Sequence, residues 1–190
     1  MTPRFLILHG WENRRPDGHW QHWLARELAG RGYEVAYPQL PDPDEPSLDA
    51  WLDRLRAELQ RSPQSTTVVC HSLACLLWMH AVTRGGLPSV ERVLLAAPPA
   101  GSVVESHAAI AEFAWPRVSP SQLAAVSRRR PHVIAGDEDP YCPDGVEVAF
   151  ARPLALTFEI VPGGGHLAMD DGFGPFPRVL EWAIGEGASS

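Results

Sequence analysis

The fold is decided by one stretch of the sequence, Thr66-Thr67-Val68-Val69-Cys70-His71-Ser72-Leu73-Ala74. Its first five residues are β-branched or apolar and predict a buried strand over Thr66–Cys70. A helical pattern follows at once and reaches about Arg84, where Gly85-Gly86 ends it. Ser72 therefore lies at a sharp turn between a strand and a helix.

Short apolar runs alternate with helical patterns along the rest of the chain, which is typical of strand-helix units on a parallel sheet. Helices are predicted around Trp20–Leu28, from Ser47 to Leu59, and from about Gly174 to Ile184. The pattern predicts an α/β three-layer sandwich of about six mostly parallel strands with helices on both faces. The six predicted strands are Arg4–His9, Tyr33–Tyr37, Thr66–Cys70, Val90–Ala96, Pro131–Ala135 and Leu156–Val161.

No boundary interrupts this alternation, so the 190 residues are expected to form a single domain over 1–190. The least regular part is Pro98–Arg130. We expect one or two short helices there, such as Ser106–Phe113, over the sheet edge where a lid or substrate wall would lie.

The basic residues are sixteen arginines and no lysine. This excludes mechanisms that need a primary amine, such as a Schiff base, a phosphate-binding lysine or a Ser-Lys dyad. The net charge of −7 argues against a nucleic-acid partner, which would be held by a basic face. The Arg128-Arg129-Arg130 run is short and is expected to be a solvated loop.

Cofactor, metal and membrane signals are weak. Cys70, Cys75 and Cys142 form no Cys-x-x-Cys pair, which indicates free thiols in a reducing cytosol. His19 and His22 have no third ligand nearby in sequence, so no metal site is predicted. The first apolar run is too short for a signal peptide, and no run approaches the length of a membrane span. A cytoplasmic protein without membrane contact is expected.

Ligands of an open parallel sheet bind outside the carboxyl ends of the strands. Reactive residue types follow four of the predicted strands. They lie in His9-Gly10-Trp11, in Cys70-His71-Ser72-Leu73-Ala74, in Gly136-Asp137-Glu138-Asp139-Pro140 and in Gly163-Gly164-Gly165-His166. The chain order of serine, aspartate and histidine is the order of a nucleophile, an orienting acid and a base in hydrolases of this architecture.

Ser72 is the candidate nucleophile. A nucleophile elbow usually reads Gly-x-Ser-x-Gly, because strand and helix approach closely beside the serine. Here Cys70 and Ala74 occupy the glycine positions, so the motif is degenerate and a serine that only caps a helix is the alternative.

His166 is the candidate base, on a glycine-rich loop whose flexibility would let the imidazole reach the sheet edge; a solvent-exposed loop histidine is the alternative. Asp139 is preferred over Asp137 as the acid, because a residue before proline is held extended. Asp137 stays open, and Glu138 is expected at the surface.

The candidate oxyanion hole consists of the backbone N–H groups of Trp11 and Leu73. Trp11 could equally be a core tryptophan or wall an apolar acyl pocket. Three further aromatic residues are predicted to line that pocket. They are Trp115, Tyr141 and Phe173.

Several motifs together resemble the small α/β-hydrolases of the retinoblastoma-binding-protein-nine and YdeN type. They are His9-Gly10, Gly18-His19-Trp20 through Trp23-Leu24, Pro38-Gln39-Leu40-Pro41-Asp42-Pro43 leading to Trp51, His71-Ser72-Leu73, Asp139-Pro140-Tyr141-Cys142-Pro143 and Gly165-His166. The similarity extends over nearly the whole chain. The departure from the family lies at Cys70 and Ala74, where glycine is common.

The resemblance implies a cofactor-free serine hydrolase that cleaves esters or related acyl bonds of a small-molecule substrate. It maps the nucleophile and base to Ser72 and His166, and it supports Asp139 as the acid. A protein-interaction module on a hydrolase scaffold is the alternative, motivated by the degenerate elbow and by the interaction-related family name; no protein partner is assigned. Thioester or carbon-carbon bond hydrolysis is a remoter option.

Overall fold

The computed structural model describes residues 3–61 and 65–185. Within these ranges, six parallel strands form one sheet in the order β2-β1-β3-β4-β5-β6. The strands are β1 (Arg4–Leu8), β2 (Glu34–Ala36), β3 (Thr66–His71), β4 (Arg92–Ala96), β5 (His132–Gly136) and β6 (Thr157–Val161). The prediction of a six-stranded, mostly parallel sheet is confirmed.

Helices connect the strands. They are α1 (Trp20–Gly30), α2 (Leu48–Leu59), α3 (Leu73–Arg84), α4 (Gly101–Ser106), α5 (Pro120–Ala125) and α6 (Pro177–Ile184). Shorter helical turns span Ala111–Phe113 and Glu147–Ala151. In the described ranges, no helix has the length and apolar character needed to cross a membrane.

The sheet separates two hydrophobic cores, which makes three layers. On one face, α1 and α6 pack against side chains such as Ile7 and Val69. On the other face, α2, α3 and the segments from α4 to α5 pack against the alternate side chains, such as Leu8 and Cys70. This alternation follows from the two-residue period of a strand, and it explains why β1, β3 and β4 read as continuous apolar runs.

The chain changes direction at the centre of the sheet. From β1 it runs outward to the edge strand β2, and it then returns to β3 on the other side of β1. The crevice between the carboxyl ends of β1 and β3 is the place where open parallel sheets bind ligands. Gly10 and Ser72 follow these two strand ends.

Several predicted boundaries are wrong. In place of a helix over Ser106–Phe113, the structure has α4 over Gly101–Ser106 and a separate turn over Ala111–Phe113. The last helix begins at Pro177 instead of about Gly174, because Phe176 (φ −133°, ψ 75°) is not helical and precedes a proline suited to the first helical position. The one or two short helices expected in Pro98–Arg130 are present as α4 and α5, whereas the helical turn at Glu147–Ala151 was not predicted.

Candidate active site

Ser72 occupies a strained turn between β3 and α3. Its backbone has φ 55° and ψ −125°, a conformation that is costly for any residue except glycine. The turn is held by the Ser72 N–H, which donates a hydrogen bond to the carbonyl oxygen of Ala96 at 2.9 Å. Cys70 and Ala74 are fully buried beside it, so the turn forms without glycine at either position.

The close approach at Ser72 is made possible by Gly10 at the end of the neighbouring strand. A Cβ atom on Gly10 would lie 2.8 Å from Cβ of Ser72 and 3.2 Å from its Oγ. Real Cβ atoms do not tolerate the shorter of these distances. The glycine that the turn needs is therefore supplied by the segment that follows β1 and not by β3 or α3.

Ser72, His166 and Asp139 form a continuous hydrogen-bonded chain across three loops. The Oγ atom of Ser72 lies 2.8 Å from Nε2 of His166. Nδ1 of His166 lies 2.9 Å and 3.1 Å from the two carboxylate oxygens of Asp139, which is buried. An ionised carboxylate only accepts, so Nδ1 carries the proton and Nε2 is the free acceptor for the serine hydroxyl.

Asp139 and Asp137 have different partners. The carboxylate of Asp139 also accepts the N–H of Tyr141 at 2.8 Å, which fixes its orientation beside Pro140. The carboxylate of Asp137 accepts the backbone N–H of Gly163 and does not contact His166. Of the two aspartates considered from the sequence, only Asp139 reaches the imidazole.

The glycines before His166 combine positive φ values with close packing, which the sequence-based interpretation of this loop did not include. Gly163 and Gly165 have positive φ values of 67° and 50°. A Cβ on Gly136, the last residue of β5, would lie 2.3 Å from backbone atoms of Gly164 and Gly165. The backbone N–H of Gly165 is also bonded to the carbonyl oxygen of Asp137 at 3.2 Å. These contacts hold the backbone of the loop directly before His166.

The two residues whose backbone N–H groups were predicted to form an oxyanion hole, Trp11 and Leu73, both line the cavity beside Ser72. Leu73 is the first residue of α3, where N–H groups have no partner inside the helix. In residues 3–61 and 65–185, neither Leu73 N–H nor Trp11 N–H donates a hydrogen bond to the protein. Trp11 is held in place because its indole N–H donates to the carbonyl oxygen of Asp44 at 2.9 Å.

A cavity of about 500 Å³ opens above Ser72 and His166. Its lining includes the apolar side chains of Trp11, Leu73, Val103, Val104 and Ile110. It also includes polar and charged residues, of which His19 is buried. These are Glu12, Asn13, Arg14, His19 and Asp170.

The four aromatic residues predicted for the pocket divide into two pairs. Trp11 and Tyr141 line the cavity, and the Tyr141 ring lies 4.4 Å from the His166 ring between centroids. Trp115 and Phe173 are not among its lining residues, so the prediction is wrong for them. Trp115 packs on Gly101 at the start of α4 with 56% of its surface exposed, and Phe173 packs on Phe176 in the opposite core.

Three buried histidines around the site, His9, His19 and His71, were given no structural role from the sequence. Burial lowers the pKa of His9 and of His19 to about 4, and it lowers the pKa of His71 well below its usual value. His9 receives N–H groups from Leu40 (2.8 Å) and Gln39 (2.9 Å) on Nε2, so it joins the proline-rich loop to the end of β1. The position of His9 after a strand end was a signal in the sequence, but the contacts that bury these histidines cannot be seen there.

The remaining reactive groups form no second centre in the described part of the chain. Cys70, Cys75 and Cys142 are buried free thiols, as predicted, and burial raises the pKa of all three. Over residues 3–61 and 65–185, no group of three or more His, Cys, Asp or Glu side chains is arranged to hold a metal ion.

Comparison with known proteins identifies the family. The model of the family described as "Serine hydrolase" matches residues 5–183, which is nearly the whole chain. The chain belongs to the serine hydrolase family. Hydrolase YdeN of Bacillus subtilis (strain 168) is 26% identical over 189 residues, covering 95% of this chain and 94% of that protein. The resemblance to YdeN-type hydrolases is thus confirmed.

Solved structures show that this serine hydrolase has the α/β-hydrolase fold. The ydeN gene product of B. subtilis superposes with a TM-score of 0.86 at 24% identity, over 99% of this chain and 100% of that one. The esterase domain of a Rhodothermus marinus protein gives a TM-score of 0.68 at 13% identity, over 96% and 87% of the two chains. At these identities the likeness concerns the fold alone.

Proposed function

We propose that this serine hydrolase cleaves carboxylic esters or related acyl bonds of a small-molecule substrate through an acyl-enzyme on Ser72. The observation that carries the proposal is the hydrogen-bonded chain from Asp139 through His166 to Ser72. Membership of the family supports a serine nucleophile.

In the first half of the reaction, Nε2 of His166 takes the hydroxyl proton of Ser72 as Oγ attacks the acyl carbon. Asp139 accepts the Nδ1–H and stabilises the imidazolium that forms. The electron pair of the carbonyl bond moves to the oxygen, where the N–H groups of Leu73 and Trp11 stabilise the negative charge. When the tetrahedral intermediate collapses, the alcohol leaves with the proton from His166.

In the second half, a water molecule attacks the acyl carbon of the Ser72 ester. His166 takes a proton from that water and returns it to Oγ as the carboxylic acid leaves. The free hydroxyl of Ser72 and the neutral imidazole of His166 are restored.

Turnover of a series of p-nitrophenyl esters tests the proposal. The parent protein should hydrolyse short-chain esters, and Ser72→Ala should lower kcat/KM by more than about 10³-fold. Ser121→Ala is the matched control, because Ser121 is an exposed serine on α5 outside the cavity. We expect it to match the parent.

Absence of turnover from the folded parent protein would contradict the proposal. Stable capture of a protein partner by that inactive protein would then favour the interaction-module alternative.

A further inference from the structure

His71 is a buried histidine for which the proposed reaction has no role. It is the last residue of β3 and directly precedes Ser72. Its ring lies among three other aromatic rings, with centroid distances of 5.2 Å to His19, 5.3 Å to His166 and 5.5 Å to Trp20. Burying an imidazole without hydrogen-bond partners costs free energy, so a partner for the buried His71 ring is expected.

One nitrogen of His71 is bonded to the main chain of the candidate base. Nε2 of His71 lies 3.0 Å from the carbonyl oxygen of His166, across 95 residues of sequence. A carbonyl oxygen only accepts, so Nε2 of His71 carries a proton and donates it. The other nitrogen, Nδ1, is buried and has no partner in the described part of the chain.

The charge state of His71 suits a donor beside a base. Burial keeps the pKa of His71 well below its usual value, so the ring is neutral at neutral pH. A neutral ring donates the hydrogen bond without adding a positive charge 5.3 Å from the His166 ring. Such a charge would oppose protonation of His166 during the reaction.

The other side of His166 is held as well. Its backbone N–H donates to Oδ2 of Asp171 at 3.0 Å, and the same oxygen accepts the N–H of Ala168 at 3.0 Å. A Cβ on Gly165 would lie 2.5 Å from Oδ1 of Asp171, so the carboxylate is pressed against the loop. His71 on the carbonyl and Asp171 on the N–H together form a clamp on the main chain of His166.

We propose that His71 is a positioning residue, whose Nε2–H fixes the main chain of His166 so that the imidazole reaches Asp139 and Ser72 at once. The inference rests on the proposed function, since it gives His71 a role through the base. His166 must satisfy two hydrogen bonds in opposite directions from one ring. A displacement of about 1 Å at such a base can cost about 100-fold in rate.

The test compares two substitutions of His71 with one of a matched histidine. His71→Gln keeps an N–H donor at a similar reach, whereas His71→Leu removes it. His80→Leu is the control, because Nε2 of His80 also donates to a backbone carbonyl, that of Phe113 at 3.0 Å, away from the cavity. The measurements are the rate at which a fluorophosphonate labels Ser72, kcat and KM on a p-nitrophenyl ester, and the thermal unfolding midpoint.

We expect His71→Leu to lower the labelling rate and kcat by about 10- to 100-fold with KM within about threefold of the parent. His71→Gln should recover most of the loss, and His80→Leu should label as the parent does. If His71→Leu does not fold, Asp171→Ala replaces it, because it frees the opposite side of the clamp, and Asp171→Asn becomes the rescuing variant.

The proposal is overturned if His71→Leu labels at the parent rate, or if His71→Gln and His71→Leu lose activity equally. Ser72→Ala, measured in the same series, separates this failure from failure of the proposed function. If Ser72→Ala is still labelled or active, or if the parent itself is not labelled, the proposed function fails. If Ser72→Ala is neither labelled nor active while His71→Leu behaves as the parent does, the proposed hydrolase function is supported and the positioning role of His71 is contradicted.

Discussion

The turn at Ser72 and the loop at His166 bring their side chains to the same sheet edge with different local sequences. The Ser72 turn has no glycine of its own; Ser72 itself adopts φ 55°, and Cys70 and Ala74 are buried beside it. The His166 loop has three glycines in succession, two of them at positive φ. Motif rules alone would predict an impaired turn at Ser72 and a flexible loop at His166.

In both places the neighbouring strand supplies the decisive glycine. Gly10 follows β1 and faces Ser72, and Gly136 ends β5 and faces Gly164 and Gly165. A close approach between two backbones needs space on either side of the contact, and one partner can provide it. A missing glycine in a motif is therefore weak evidence against a turn when a glycine ends the adjacent strand.

The largest effect is predicted for the hydrogen bond between Asp139 and Nδ1 of His166, because His166 in turn contacts Ser72. Asp139→Asn should lower kcat by roughly 10⁴-fold, because a neutral amide favours the wrong imidazole tautomer and does not stabilise the imidazolium. Asp137→Asn is the control from the same loop; its amide oxygen still accepts the Gly163 N–H, and we expect activity within about tenfold of the parent. Steady-state kinetics on one ester gives both values. Equal losses in the two variants would contradict the assignment of Asp139.

The next prediction concerns a substitution that disturbs the turn at Ser72 and leaves the loop at His166 unchanged. Gly10→Ala places a Cβ 2.8 Å from Cβ of Ser72, so the serine must shift and kcat/KM should fall by about 100-fold. Gly18→Ala is the control, because its Cβ would meet only the flexible tip of Met169 at 2.9 Å, and a change of about threefold is expected. Parent-like activity in Gly10→Ala would show that Gly10 is not needed for the turn.

The smallest predicted effect is the pH dependence of the free energy of unfolding that His9, the neighbour of Gly10, contributes. His9 has a pKa of about 4 in the folded protein and 6.5 as a free side chain, so between these values the unfolded chain binds a proton that the folded one does not. The free energy of unfolding should therefore fall as pH drops from 6.5 towards 4, by up to about 1.4 kcal/mol per pH unit from this group. Above pH 6.5 this group contributes no pH dependence.

His9→Gln sharpens this prediction, because glutamine keeps an acceptor for the Leu40 N–H and does not take up a proton. Urea unfolding at several pH values should give a shallower slope for the variant than for the parent between pH 6.5 and about 4. Identical slopes would mean that His9 does not resist protonation in the folded state.

Sequence was sufficient for the parts of the molecule that depend on local pattern. The alternation of strands and helices predicted the parallel sheet, and the topological rule for such sheets directed attention to the loops that carry Ser72, Asp139 and His166. The boundary errors at α4 and α6 arise where helices are short and packing decides their ends.

Contacts between distant segments could not be predicted from one sequence. The bond from His71 to His166 joins residues 95 positions apart, and the contact of Gly10 with Ser72 depends on the register of β1 against β3. Trp115 and Phe173 were aromatic residues in plausible loops, but they pack on Gly101 and Phe176 and do not line the cavity. Composition does not reveal which surface an aromatic ring will cover.

Locating the acyl group that forms during turnover tests the role of Ser72 directly. The parent protein is mixed with p-nitrophenyl acetate, quenched in acid, digested and analysed by mass spectrometry. The proposed mechanism predicts an acetyl group on Ser72 and none in Ser72→Ala. Turnover with the acetyl group on another residue, or equal acetylation of Ser72→Ala, would contradict it.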